Sequence, residues 1–286
     1  MTAQALGLDI GGTNLRVARV CASGEILEAA GERISRDPAQ AMGRMLALAE
    51  RLMTPQVSAV GIGVPGRVDR AAGRMLSGGF LDLGALDPAA ALRVRLGRPV
   101  VLDGDGNMAL TAEMRLGAAR GRRHVAMLAI GTGIGGAAAL DGRILRGRAC
   151  GGQFGHVTVQ QDGLPCACGR RGCVETTSSG TALGRLIAEA GLPQDSRVEA
   201  LLESDAPAAR AVLQRWAGPL RDAIDSLVAA LDPELVLLGG GLGKAACAAL
   251  ARVPARSAWY QCDVAPAALG DEAGVVGCAL SALEAA

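Results

Sequence analysis

Apolar and polar positions alternate along this chain with two periods, and glycines mark where one gives way to the other. Leu6 to Ile10 is an apolar run broken by Gly11-Gly12. Beyond the break, Leu15 and Val17 alternate with Arg16 and Ala18. Period two on both sides of a glycine pair predicts two strands joined as a hairpin, not the strand-to-helix unit of a Walker or dinucleotide motif. A third strand is expected over Ile26 to Ile34. From Asp37-Pro38 the period lengthens to that of a helix, with Ala41, Met45, Leu48 and Leu52 on one face as far as Met53. Val57 to Val64 reads as a buried strand, followed by a helix near Pro88 to Leu96 and a strand over Pro99 to Leu102. Asp103-Gly-Asp-Gly-Asn107 then opens a helix expected to run through Ala119. The opening pattern returns in a second segment: a strand over Val125 to Ile130, the run Gly131-Thr-Gly-Ile-Gly-Gly136, and a strand-like run to Leu140 with Asp141-Gly142 as a turn. Leu235 to Leu238 is a further strand, ending in Gly239-Gly240-Gly241 before a helix. The alternation predicts an α/β fold.

Composition narrows the function. The chain has 286 residues, half of them apolar, with two Phe, two Trp and one Tyr, so Ala, Leu, Val and Ile must build the core. A formal net charge of +1 recommends neither nucleic acid nor an anionic membrane as partner. Arg120, Arg122 and Arg123 form a basic cluster read as a solvated loop. No apolar run approaches the ~18 residues of a membrane span, and no signal peptide is recognised. A reducing cytoplasmic setting is therefore expected, in which the eight cysteines are read for metal before disulfides.

Glycine-rich turns let backbone N–H groups approach an anion closely, which the stretch Gly11 to Asn14 is placed to do. Asp9, at the end of the first strand, offers the charge that a phosphate-bound magnesium requires. Gly131 to Gly136 matches G-x-G-x-x-G, but no acidic residue lies about 20 positions on and a strand follows, so the Rossmann context is absent. The stretch Leu235 to Lys244 misses a Walker motif by Leu238 and Ala245. Three glycine-rich strand ends in two domain-sized segments predict two lobes holding one nucleotide. Asp105 reads equally as a helix N-cap and as a carboxylate able to take a proton. A calcium loop through Asp103, Asp105 and Asn107 is excluded, because Met108 and Met114 stand where Gly and Glu are required. His156, Cys166, Cys168 and Cys173 supply one imidazole and three thiolates, a donor set for closed tetrahedral zinc. Cys21, Cys150, Cys247, Cys262 and Cys278 show no ligand spacing and are expected to be buried small hydrophobes.

Asp9-Ile-Gly-Gly-Thr13, Gly61-Ile-Gly-Val-Pro-Gly66, Asp105-x-Asn107, Gly131-Thr-Gly-Ile-Gly-Gly136, Gly155-His156, the cysteine cluster and Gly239-Gly-Gly241 together resemble the ROK family of sugar kinases and repressors over essentially the whole chain. The resemblance implies an α/β, two-lobed actin-like ATPase (ribonuclease H-like) fold with a small zinc loop, and ATP and sugar in the cleft. Its lobes would be residues 1–118 with 271–286, and 119–270, the last helix (about Asp271 to Leu283) packing back onto the first lobe. It implies ATP with magnesium, held by Asp9, Gly11, Gly12, Thr13, Asn14, Gly131, Thr132, Gly133, Gly135, Gly239, Gly240 and Gly241. It implies Asp105 as catalytic base, and Gly78, Gly79, Asn107, Gln153, His156 and Glu175 as sugar contacts. Structural zinc would sit on His156, Cys166, Cys168 and Cys173, whose Cys-x-Cys spacing is tighter than usual but matches the family's signature. A homodimer is common among similar proteins.

Two departures bear on the sugar. Gly104 stands where the family has Asn, and Gln153 where it has Glu. The activity expected is ATP-dependent phosphorylation of a primary hydroxyl of glucose or an N-acetylated hexosamine such as N-acetylmannosamine or N-acetylglucosamine. The alternative is a catalytically weak or inactive sugar sensor. The family's repressors carry a DNA-binding domain ahead of the first glycine hairpin, which here begins at Leu6, so DNA binding is not expected. A zinc-organised interaction module would leave the paired glycine hairpins unexplained.

Overall fold

The computed structural model describes residues 3–11, 13–79 and 81–286. β1 (Gln4–Ile10) and β2 (Asn14–Cys21) form the antiparallel hairpin, in register from Gln4 opposite Cys21 to Ile10 opposite Leu15. β3 (Ile26–Arg33) continues the sheet beyond β2. α1 (Pro38–Leu52) starts where Asp37 accepts the N–H of Gln40 and Pro38 presets the first helical φ. The face carrying Ala41, Met45, Leu48 and Leu52 is buried. β4 (Val57–Val64) lies parallel to β1 and is buried except at Ser58. A small hairpin, β5 (Arg67–Asp69) and β6 (Arg74–Ser77), precedes α2 (Pro88–Leu96), β7 (Val100–Gly104) and α3 (Asp105–Arg115). The strand order is β3-β2-β1-β4-β7.

Both ends of the Asp103 segment differ from the sequence expectation. Asp103 and Gly104 lie in β7, and α3 stops at Arg115 rather than reaching Ala119. The helix stops because buried Glu113 turns its carboxylate onto the N–H of Ala118, while the N–H groups of Gly117 and Ala119 fold back to its carbonyl.

In the second segment β8 (Val125–Ile130), β9 (Ile134–Leu140) and β10 (Arg143–Ile144) repeat the antiparallel meander. Then come α4 (Glu175–Ser178), α5 (Gly180–Glu189), α6 (Val198–Glu203) and α7 (Pro207–Leu231). β11 (Leu235–Gly239), α8 (Gly243–Leu250) and β12 (Asp263–Pro266) follow. β11 is parallel to β8 and to β12, giving the order β10-β9-β8-β11-β12. Both sheets therefore share one plan, a meander of three strands with two parallel strands added beside the first. Trp216, fully buried on α7, donates Nε1–H to the Ser179 carbonyl at 3.0 Å and fixes α7 to the start of α5.

α9 (Ala273–Ala285), buried from Ala273 to Ala282, packs on β1, β4 and α3. Glycines permit this approach. A Cβ at Gly7 or Gly61 would be driven into the α9 backbone, and one at Gly277 into the Met108 carbonyl. Contacts gather the chain into two compact units, Met1–Arg120 with Arg146–Gly151 and Asp271–Ala286, and Gly121–Leu145 with Gly152–Gly270.

The unassigned cysteines do not all behave as expected. Cys21 and Cys278 are buried, Cys247 and Cys262 half-buried, and Cys150 is exposed. Cys150 lies in an exposed turn, so small apolar character did not decide its place. Arg120, Arg122 and Arg123 lie in an exposed loop, as expected, and Arg123 and His124 donate their backbone N–H groups to Glu234. Among the described residues no helix is long and apolar enough to cross a membrane.

Candidate active site

In the first unit the β1–β2 turn is closed by Gly11 N–H donating to the Asn14 carbonyl at 3.0 Å, with Thr13 exposed at its tip. Gly12 lies outside the described residues. A Cβ at Gly11 would meet only the Asn14 carbonyl oxygen, at an ordinary 3.5 Å, so packing does not demand glycine there. Asp9 is half-buried at the end of β1, and among the described residues its carboxylate has no hydrogen-bond partner. Burial first, and then the charge of Asp105, raise its pKa to about 7; Arg16, its cross-strand neighbour, opposes this.

Asp105 is the first residue of α3, and Gly104 occupies the N-cap without a side-chain bond. The N-cap reading of Asp105 is thereby displaced by one position. Its Oδ1 accepts the N–H of Gly106 at 2.7 Å, and burial raises its pKa to about 6. Gly104 has φ −63° and ψ 142°, which suit any residue, and a Cβ there would meet only Asn107 Nδ2 at 3.7 Å. The space beside Asn107 is therefore open by choice of residue and not by backbone necessity. Gly78 is different, since a Cβ would be driven into the Leu81 carbonyl, whereas Gly79 is exposed with nothing near it.

Asp103 is the feature that sequence reasoning missed. It is 2% exposed, and its Oδ2 accepts from Arg70 Nη1 at 2.9 Å and Arg146 Nε at 2.8 Å. Its Oδ1 accepts from the Gly104 N–H and from Asn107 Nδ2, both at 2.8 Å. The available signal was a charged residue at the close of an apolar strand, two places before the candidate base.

In the second unit Gly131 N–H closes the β8–β9 turn on the Gly133 carbonyl at 2.9 Å. The carbonyls of Gly131 and Thr132 are taken by the start of α5, through Gly180 N–H at 2.8 Å and Thr181 Oγ1 at 2.8 Å. The N–H groups of Thr132 and Gly133 have no partner among the described residues, which is the arrangement an incoming anion needs. Gly135 lies within β9 opposite Ala129. Glu175 Oε2 accepts the Ile134 N–H at 2.9 Å and fills the space where a Gly133 side chain would begin. Gly155 is pressed against the carbonyl of the same Ile134. One residue, Ile134, thus joins the turn to Glu175 through its N–H and to the segment holding Gln153 and His156 through its carbonyl. The third glycine run belongs here as well. Gly239 ends β11 opposite Ala129, Gly240 (φ 74°) packs on the Ile130 carbonyl, and Gly241 is exposed.

The donor atoms of His156, Cys166, Cys168 and Cys173 all lie within 4.8 Å of one another. Cys166 Sγ stands 3.5 Å from His156 Nδ1, and Cys168 Sγ 3.6 Å from Cys173 Sγ. Two thiolates bound to one zinc at about 2.3 Å and the tetrahedral angle are roughly 3.8 Å apart, so the set fits a four-coordinate ion. Two isolated bridges, Thr158–Cys173 and Pro165–Arg171, frame the loop, and Arg170 donates to the His156 carbonyl. Hydrogen bonds from the Arg170 backbone foremost lower the Cys168 thiol to about 7, while burial pushes Cys173 up to about 12.

The sequence model of the ROK family matches residues 5–285. This chain belongs to the ROK family. Among its relatives, a glucokinase from Thermotoga maritima is 32% identical over 265 residues, covering 84% of this chain and 82% of the relative. An N-acetylmannosamine kinase from Yersinia pestis is 33% identical over 254 residues, covering 84% and 83%. The structure of a ROK family glucokinase from Streptomyces griseus, in complex with glucose and AMPPNP, covers 99% of this chain and all of that one. It has a TM-score of 0.85 and 28% identity. This ROK chain accordingly has the actin-like ATPase fold, with each sheet carrying one glycine hairpin between its first two strands.

Proposed function

We propose that the protein is an ATP-dependent sugar kinase that transfers a phosphoryl group to the primary hydroxyl of a hexose or N-acetylhexosamine. Names of relatives on both sides of that range, glucokinase and N-acetylmannosamine kinase, support the substrate class. The observation that carries the reading is Asp105, a half-buried carboxylate at the start of a helix, whose pKa of about 6 suits proton acceptance near neutrality. A sugar hydroxyl is a weak nucleophile. Asp105 orients it and takes its proton as the bond to phosphorus forms, while the ATP γ-phosphate bond breaks and leaves ADP.

The N–H groups of Thr132 and Gly133 bind phosphate oxygens, with Gly11, Thr13 and Asn14 as the corresponding elements of the first turn and Gly239 to Gly241 beside the second. Gly12 completes the first set by sequence. Asp9, with no hydrogen-bond partner among the described residues and raised by burial and then by the charge of Asp105, would hold a magnesium ion on the phosphates, which would supply charge neutralisation during transfer. Asn107, Gln153, His156 and Glu175, with the Gly78-Gly79 loop, are the sugar contacts. Zinc on His156, Cys166, Cys168 and Cys173 has no open coordination place and holds the loop in shape. The open space at Gly104 favours a sugar with a larger substituent, such as an acetamido group. We place the protein in the cytoplasm, as a homodimer.

ADP release measured across a panel of hexoses and N-acetylated hexosamines tests the reading. At least one sugar should raise ADP release well above the rate with ATP alone. Sugar binding by calorimetry without turnover on any member would make the protein a sensor instead.

A further inference from the structure

Asp103 satisfies four donors with one buried carboxylate, and the consequence falls on Asn107. A carboxylate only accepts, so the Asn107 group facing Asp103 Oδ1 at 2.8 Å must be its NH2. That fixes the amide plane and sends Oδ1 the other way. Asn107 Oδ1 is buried and has no hydrogen-bond partner among the described residues. An unpaired buried acceptor costs roughly 1–3 kcal/mol, so such atoms persist where a ligand supplies the donor. The guanidiniums of Arg70 and Arg146 hold the other carboxylate oxygen, so Asp103 cannot rotate to release the amide. Asn107 is two residues from Asp105 in the first turn of α3.

We propose that Asp103 is a positioning residue of the sugar site, which holds the Asn107 amide so that Oδ1 accepts a hydrogen bond from one particular sugar hydroxyl. The inference rests on the kinase reading above and deepens it. Arg70 and Arg146 take no part in the chemistry and act by anchoring Asp103. An amide free to flip would present NH2 or oxygen to the sugar and would discriminate poorly. The locked amide accepts only, and a sugar with no hydroxyl at that place leaves the acceptor unpaired.

The test uses the full-length enzyme, its best sugar, and that sugar's 2-, 3- and 4-deoxy analogues. Wild type should lose about tenfold in kcat/KM on one deoxy analogue, the size expected for one hydrogen bond. Asn107→Ala, which leaves the Asp103–arginine cluster intact, should flatten that discrimination. Asp103→Asn should flatten it at the same deoxy position, with KM for ATP unchanged. Should Asp103→Asn fail to fold, Asp103→Glu keeps the charge for the arginines but shifts the carboxyl off Asn107, and must give the same result. Full discrimination persisting in the Asp103 variant, or an equal loss on all four sugars, would reduce Asp103 to a structural anchor and overturn the inference. Absence of turnover by wild type on every sugar would remove the kinase reading itself, and this inference with it.

Discussion

Asp105 gives up stability for function. Burial raises its pKa from an ordinary carboxylate value near 3.8 to about 6, partly offset by the Gly106 N–H. A carboxyl raised in the folded state contributes stability that is complete below its unfolded pKa and is lost as pH rises through the folded value. Asp105→Asn removes that loss. The variant should therefore melt at a higher temperature than wild type at pH 8 and show no such advantage near pH 4, as followed by differential scanning fluorimetry. In wild type kcat/KM should fall as pH drops through about 6, where the base takes a proton. Equal melting shifts at both pH values would mean that Asp105 is not desolvated as described. Asp105 was singled out by its place at a helix start, where the residues alone read equally as an N-cap and as a base, and the family resemblance favoured the base. Asp103 was not singled out, since it entered only through a calcium-loop spacing with Asp105 and Asn107 that Met108 and Met114 exclude. Its real partners, Arg70 and Arg146, are far from it in the chain.

Elements were legible where the apolar period was long or a cap was explicit. The Asp37-Pro38 start of α1 and the two glycine hairpins follow directly from local chemistry. The end of α3 was not legible, because it depends on the Glu113 side chain folding back on the following turn. α5 and α7 carry no motif, and Trp216 acquires meaning only once its indole N–H meets the Ser179 carbonyl. Glycine in helices has opposite effects by context. Gly277 of α9 faces the Met108 carbonyl of α3, so Gly277→Ala should destabilise by about 1–3 kcal/mol. Gly43 of α1 has nothing within 4 Å of a built Cβ, so Gly43→Ala should stabilise by up to about 1 kcal/mol. Urea denaturation of the two variants checks the pair; a Gly277→Ala protein as stable as wild type would mean that α9 does not set the position of α3.

For the whole molecule, the repeated strand order explains why one sequence pattern occurs twice, with a glycine turn after the first strand of each sheet. The return of Arg146–Gly151 to the first unit was hidden, since it depends on the Asp103 ion pair and not on local pattern. The gathering of His156, Cys166, Cys168 and Cys173 was legible from donor types and spacing, and the proposal that it holds zinc predicts about one zinc per chain in protein purified without chelators. Cys168→Ser should lose the metal and lower the melting temperature, with sugar KM rising more than ATP KM; elemental analysis finding no zinc in wild type would contradict this. The central claim is that this fold brings Asp105 to a sugar hydroxyl during phosphoryl transfer, and single-turnover transfer from radiolabelled ATP to the best sugar tests it most directly. Asp105→Asn should bind nucleotide as wild type does yet transfer on the order of 10²-fold more slowly or worse. Transfer at a near-normal rate would show that Asp105 is not the base.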